Sequence, residues 1–259
     1  MTTCPFRAAA AVAALATAVG LTPPTPEGLA ETVRQVARPL VLPFRWQAVS
    51  AAQQRGDAVE MFARAQDLLR LLPEWADGHS VFAYRFALAP TGAGDDGSRG
   101  AAARARLELA LAYLHDARAK AGRREASLLL DMAFLPQVAA QQEPALQSLL
   151  APAGGAAAIA DRYLAEAERL FPSAARREQR TFHSVRLVAG LLEANDRAGA
   201  RAVLSTAIER SHDVRDAALA AEWRARLDEV ARWLGGDATV DLSLVQADPR
   251  FQPLLPWLR

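Results

Sequence analysis

Two stretches near opposite ends of the chain, 42–73 and 181–212, each read as a helix, a tight turn and a second helix. Nearly everything between them reads as helix as well. A helix with one apolar stripe cannot bury that stripe alone, so successive helices must pack on one another. Composition points the same way. The apolar fraction is 51%, much of it alanine, which favours helix and lets helices approach closely. Thr, Ile and Tyr are scarce, and few runs alternate with period two. With 259 residues the chain can bury a sizeable core as one domain or two. The predicted fold class is all-α, an antiparallel α-hairpin array.

Punctuation along the chain sets the expected elements. A helix over Glu27 to Arg38 is broken by Pro39 and Pro43, because each proline removes a backbone donor and restricts its predecessor. A second helix starts near Phe44 and stops at Gly56. The third runs from Ala58 to Leu72, with Phe62, Ala65 and Leu69 on one stripe and Pro73 closing it. Trp75 to Leu88 follows, then a glycine-rich loop over 90–98, then Ala101 to Ala121 and Glu125 to Ala140, with Pro136 as a kink or stop. Pro152-Ala153-Gly154-Gly155 is the best candidate for an internal joint. Beyond it the spacing predicts helices over 156–171, from a Ser173 cap to about Asn195, over 198–211, and over 214–234 with Gly235-Gly236 as the stop.

A period near 34 residues is the mark of a helical solenoid. The region 181–212 resembles a tetratricopeptide (TPR) unit. Leu187 and Leu191 fall at large positions of its first helix, and Asn195-Asp196 stand where the family has Gly-Asp. Ala200, Leu204 and Ala207 take the small, large and small positions of the second helix. The departures are Ser184 for the usual tryptophan, Val188 for a small residue and His212 for the closing proline. The region 42–73 matches at Gly56-Asp57 and Pro73, although Val49, Met61 and Leu68 sit where small residues are expected. The tail 244–255 resembles the closing segment of many bacterial proteins of this type. There Asp248 can cap a turn begun by Pro249, and Phe251, Leu254 and Leu255 can cover the last helix pair. The resemblance implies a TPR-like solenoid over 27–259 whose first helices line a concave face. Those lining positions fall on Trp46, Ser50, Gln53 and Gln54, then on Asp77, Ser80 and Tyr84. The set is aromatic and polar, and it suits a peptide or protein partner. The plainer account is that Trp46 and Tyr84 pack against neighbouring helices.

No constellation in the sequence carries chemistry. His79, His115, His183 and His212 form no HExxH or i, i+4 pair, so no zinc motif exists. Cys4 is the lone cysteine, which rules out an intrachain disulfide or a multi-cysteine metal site. There is no GxSxG, no P-loop and no glycine fingerprint after a strand. His115-Asp116 at a helix end is read as structural, stabilised by the helix dipole. Asp95-Asp96 between glycines lacks calcium-loop spacing. Arg55-Gly56-Asp57 is an interhelical turn. No cofactor or metal is expected, and the chain is not read as an enzyme.

Net charge is +1, so no overall attraction to nucleic acid or membrane follows. The locally basic stretch from Arg99 to Arg124 lacks a basic face with base readers and is expected to be salt-bridged surface; no nucleic-acid partner is expected. Residues 8–21 are uncharged and apolar, follow Arg7 and precede Thr22-Pro23-Pro24. Their length suits an export signal or a membrane anchor, so 1–26 is set apart from the repeat region. The expected location is membrane-associated or extracytoplasmic in a bacterium, or cytoplasmic if the segment is an ordinary alanine-rich helix. The expected role is a non-catalytic scaffold or adaptor for a protein partner. The alternative is an enzyme or small-molecule binder on a helical toroid or bundle, with an enclosed pocket where His115 or His183 meets carboxylates.

Overall fold

The computed structural model describes residues 41–92 and 94–258. The expected export or anchor segment and the helix over 27–38 lie outside the described residues. Every regular element among the described residues is helical, and no strand occurs there. The chain divides between Pro73 and Glu74 into two compact units.

In the first unit, α1 (41–54 within the described residues) and α2 (Ala58–Leu69) form a hairpin. Arg45 near the start of α1 meets Asp67 near the end of α2 at 3.6 Å, which shows that the two run antiparallel. Val49 and Ala52 are buried on α1, and Met61, Phe62, Ala65, Leu68 and Leu69 on α2. The turn follows from two residues. Gly56 adopts φ +71°, where a side chain is strained. Its N–H reaches the Gln53 carbonyl at 3.0 Å, and the Asp57 N–H reaches Ala52 at 3.1 Å. That is a Schellman closure of α1. Asp57 then starts α2 by accepting from the Glu60 N–H at 2.8 Å.

The second unit contains α3 (Ala76–Ala87), α4 (Asp96–Ala121), α5 (Glu125–Gln142), α6 (Ala145–Leu150), α7 (Gly155–Leu170), α8 (Ala174–Glu193), α9 (Arg197–Glu209), α10 (Ala217–Leu234) and the short α11 (Ser243–Ala247). Packing is sequential and antiparallel: α3 on α4, α4 on α5, α5 on α7, α7 on α8, α8 on α9 and α9 on α10, with α6 set against α4. Small residues set the closest approach. Ala133 of α5 and Ala160 of α7 are buried together with Leu164, with Leu130 and Tyr163 packed against them.

Two boundaries differ from expectation. α4 begins at Asp96 rather than Ala101, because Asp95 accepts from the Ser98 N–H at 2.7 Å and recruits the end of the glycine-rich loop into a helical turn. Gly100 then lies in the helix beside α6: a Cβ there would come within 3.0 Å of the Ala145 carbonyl oxygen. α5 continues past Pro136 to Gln142, since burial of Leu135, Ala139 and Ala140 outweighs one lost backbone bond. The segment 152–155 is a short 3-10 turn and a left-handed Gly154. It joins α6 to α7, and α7 packs back on α5 in the most extensively packed helix pair of the second unit.

The α8–α9 hairpin repeats the first turn with a different residue. Asn195 takes φ +59°, its N–H reaches Leu192 at 3.0 Å, and the Asp196 N–H reaches Leu191 at 2.8 Å. Asp196 then caps α9 through the Gly199 N–H at 2.8 Å. α10 ends the same way at Gly236-Asp237, with bonds to Trp233 at 3.0 Å and Arg232 at 3.1 Å. On α9 the expected Ala200, Leu204 and Ala207 are buried. On α8 the buried stripe is Thr181, Val185, Val188 and Leu192, whereas Leu187 and Leu191 are only half-buried. The helix is turned about a third of a revolution from the expected face, because the tail also packs on it.

That tail closes the array. Asp248 accepts from the Arg250 N–H at 3.0 Å, and Phe251 and Leu254 are fully buried while Leu255 is half-buried. Trp223 of α10 lies at the centre, with Phe182 edge-on at 4.8 Å and Phe251 tilted at 4.8 Å.

Candidate functional site

The seven side chains expected on a concave face fall in both units. Trp46, Ser50, Gln53 and Gln54 lie on α1; Ser50 is half-buried and the other three are exposed. Asp77, Ser80 and Tyr84 lie along one side of α3; Ser80 and Tyr84 reach α5, and Asp77 reaches the turn that precedes it. The Ser80 hydroxyl donates to the Asp131 carboxylate, and the Tyr84 hydroxyl donates to the Asp131 carbonyl at 3.2 Å. Arg124 pairs with the Asp77 carboxylate. Burial raises the Asp131 carboxyl above its usual range, as does the neighbouring Asp77 charge, while the Ser80 bond and Arg124 oppose the shift. Burial and the Asp131 charge also push the Tyr84 hydroxyl upward. On α3, then, Ser80 and Tyr84 bond across to α5, while Asp77 is exposed in its ion pair with Arg124.

An open groove does exist within the second unit, farther along the chain. It runs between α5 and α8 over a floor from α7, with a volume of about 430 Å³. Phe134, Gln137, Val138 and Gln141 come from α5, Leu164 from α7, and Gln179, Phe182, His183 and Arg186 from α8. Phe134 and Val138 are each 37% exposed, although they stand one turn apart on a helix whose opposite stripe is already buried. α5 therefore carries apolar side chains on two faces. One face makes the core and the other makes the groove wall.

Polar groups punctuate this wall. Arg186 donates from Nη1 to the Gln137 Oε1 at 3.1 Å and ties α8 to α5. Gln137 in turn donates from Nε2 to the Ala133 carbonyl at 3.3 Å. The His183 Nε2 sits 3.0 Å from the Ala157 carbonyl, so that nitrogen carries the proton and donates. Burial holds the His183 imidazole below its ordinary pKa, against the smaller opposing effects of this bond and of Asp161. The ring is neutral near pH 7. Asp161 itself is held by Arg180 at 3.0 and 3.3 Å.

The other histidine considered, His115, is exposed on α4 beside the exposed Asp116. Arginines of the basic stretch are largely occupied: Arg104 pairs with Glu108 at 2.7 Å, and Arg118 with Glu125 at 3.0 Å and Glu166 at 2.8 Å. Arg106 donates to the Pro90 carbonyl at 3.0 Å. Asp95 and Asp96 of the glycine-rich loop serve as a helix cap and as a partner of Arg99. Among the described residues, no three His, Cys, Asp or Glu side chains gather as a metal site.

Phe134, Val138 and Phe182 match no motif in the sequence. A signal was present in the spacing of Phe134 and Val138, which lie off the Leu128–Met132–Leu135 stripe. Their meaning depends on what faces them, and only α8 decides that.

No protein-family model, no curated protein and no solved structure matches this chain.

Proposed function

We propose that this chain is a non-catalytic protein-interaction scaffold or adaptor, a TPR-like array in which a segment of a protein partner lies in the groove between α5 and α8. The observation that carries this reading is the groove itself: Phe134 and Val138 stand exposed on one wall and face Phe182 across a Leu164 floor. Apolar side chains left in a concave, open site recover their burial when a partner covers them. The Gly56-Asp57 and Asn195-Asp196 turns, closed and capped alike, support a hairpin repeat of TPR type. Arrays of this kind present one side of successive first helices, and α5 and α8 take that part here.

The proposal places the array at or beyond a bacterial membrane, carried there by residues 8–21. Among the described residues no helix is long and apolar enough to cross a membrane. The enzyme alternative has less support: His183 is spent on a backbone carbonyl, and the Asp161 carboxylate is spent on Arg180.

The test is site-specific photo-crosslinking in cells that express the full chain. A benzophenone side chain replacing Val138 should give adducts with one defined protein, whereas the same group replacing exposed Leu109 on α4 should not. Equal labelling from both positions, or none from position 138, would remove the reading.

A further inference from the structure

We infer that the α5–α8 groove takes an extended, acidic-apolar peptide segment, in which a large apolar side chain seats between Phe134, Val138 and Phe182 and a neighbouring Asp or Glu carboxylate engages Arg186. This rests on the docking reading above and adds the chemistry of the partner.

Charge complementarity carries it. The lining holds one fixed cation, Arg186, and no Asp or Glu. Elsewhere on α8, Arg177 is paired with Asp213 at 3.0 Å and Arg180 with Asp161 at 3.0 Å and Glu168 at 3.1 Å; Arg176, which is not in the lining, bonds the Phe171 carbonyl. Arg186 has only the neutral amide of Gln137 among the described residues. A carboxylate adds a Coulomb attraction to the exposed Arg186 that the neutral Gln137 amide lacks, so an arriving carboxylate can displace Gln137. The site carries a single positive charge because His183 is neutral, which matches a monoanion and leaves a phosphate dianion half compensated.

Amides indicate the backbone state of the guest. Gln141 and Gln179 offer both donors and acceptors along the walls. A helical guest satisfies its own backbone and has no use for them; an extended guest leaves N–H and C=O groups to be paired. The floor supplies the rest, since Leu164 and Phe182 give apolar contact to the seated side chain.

The test is fluorescence polarisation with the full chain and N-labelled, C-amidated peptides, so that the side chain supplies the only carboxylate. The reference probe holds Leu-Phe-Glu between Gly-Ser spacers. Companions hold Leu-Phe-Gln, Ala-Ala-Glu, or Leu-Phe-phosphoserine. The Glu probe should bind about two- to fivefold more tightly than the Gln probe, the worth of an ion pair with an exposed arginine. Arg186→Gln should erase that preference, Arg186→Lys should keep part of it, and circular dichroism should show both variants helical. The Ala-Ala probe should bind far more weakly.

Equal affinity for Glu and Gln probes, a preserved preference in Arg186→Gln, or tighter binding of the phosphoserine probe would each overturn the inference. If no probe binds while crosslinks at position 138 persist, the groove docks a partner of other chemistry. If both experiments fail, the docking reading falls with it.

Discussion

The guanidinium of Arg186 and the side-chain amide of Gln137 meet at 3.1 Å and join α8 to α5 beside the groove. This bond is a bridge between two helices that are otherwise separated by α7, and it occupies the group that would receive an acidic guest. Replacing Gln137 with Leu frees Arg186 and removes both side-chain bonds of Gln137. Stability should fall by no more than about 3 kcal/mol, since each of the two bonds is worth about 0.5–1.5 kcal/mol, as read from urea denaturation. Affinity for the acidic probe should rise, because the carboxylate no longer competes with an internal acceptor.

Asn195 stands at φ +59° where Gly56 and Gly236 stand in the other Schellman closures. Asparagine tolerates that region better than most residues, and glycine better still. Asn195→Gly should leave stability unchanged or raise it slightly, whereas Asn195→Val should cost about 1–2 kcal/mol. Paired chemical-denaturation curves decide between these outcomes. If valine is tolerated as well as glycine, the turn geometry is wrong.

Gly97 and Gly100 lie close together in α4 but face different surroundings. A Cβ on Gly97 meets only the Asp95 carboxylate at 3.6 Å, an ordinary contact. On Gly100 it would press on the Ala145 backbone at 3.0 Å. Gly97→Ala should therefore raise the melting temperature, by up to about 1 kcal/mol of helix propensity. Gly100→Ala should lower it, since the same gain is outweighed by pushing α6 away.

Trp223 is fully buried, yet its indole N–H finds no acceptor among the described residues. Trp223→Ala should cost about 3–5 kcal/mol through lost contacts with Phe182 and Phe251. Trp223→Phe should cost much less, because it gives up part of the packing and also removes a buried unpaired donor. Thermal unfolding of the two variants tests the ranking; equal losses would mean that the N–H is satisfied.

His183 titrates lower in the folded chain than in the unfolded one, because burial disfavours its charged form. Between its two pKa values the unfolded state binds more protons, so stability rises with pH there. On acidification, stability should begin to fall as pH drops through about 6.5, the ordinary histidine value, and level off for this group below its folded pKa. His183→Gln can still donate to Ala157 and should flatten that part of the profile. Denaturation midpoints measured from pH 8 to 5 provide the check.

Much of the architecture was legible because its causes are local. Gly56-Asp57, Ser173, Asn195-Asp196 and Gly235-Gly236 marked real turns and caps, since a left-handed residue or a short acceptor side chain acts within a few positions of the backbone. Asp95 acts just as locally, but the glycines around it mask the cap in the sequence. The candidate site was not legible. Asp77, Ser80 and Tyr84 share a face of α3 in any reading of their spacing, but whether that face meets solvent or α5 depends on a helix that begins at Glu125.

The amino-acid order by itself determined that this chain is helical, where most of its helices begin and end, and which alanines allow close packing, because those properties follow from backbone conformation and side-chain size within a turn or two. The tertiary structure alone decided which apolar faces became core and which stayed open. Phe134 and Val138 line a groove only because α7 and α8 fold back past α5, and Leu187 is half-covered only because the tail helps to set the orientation of α8. Burial is a relation between distant segments, and no single helix encodes it.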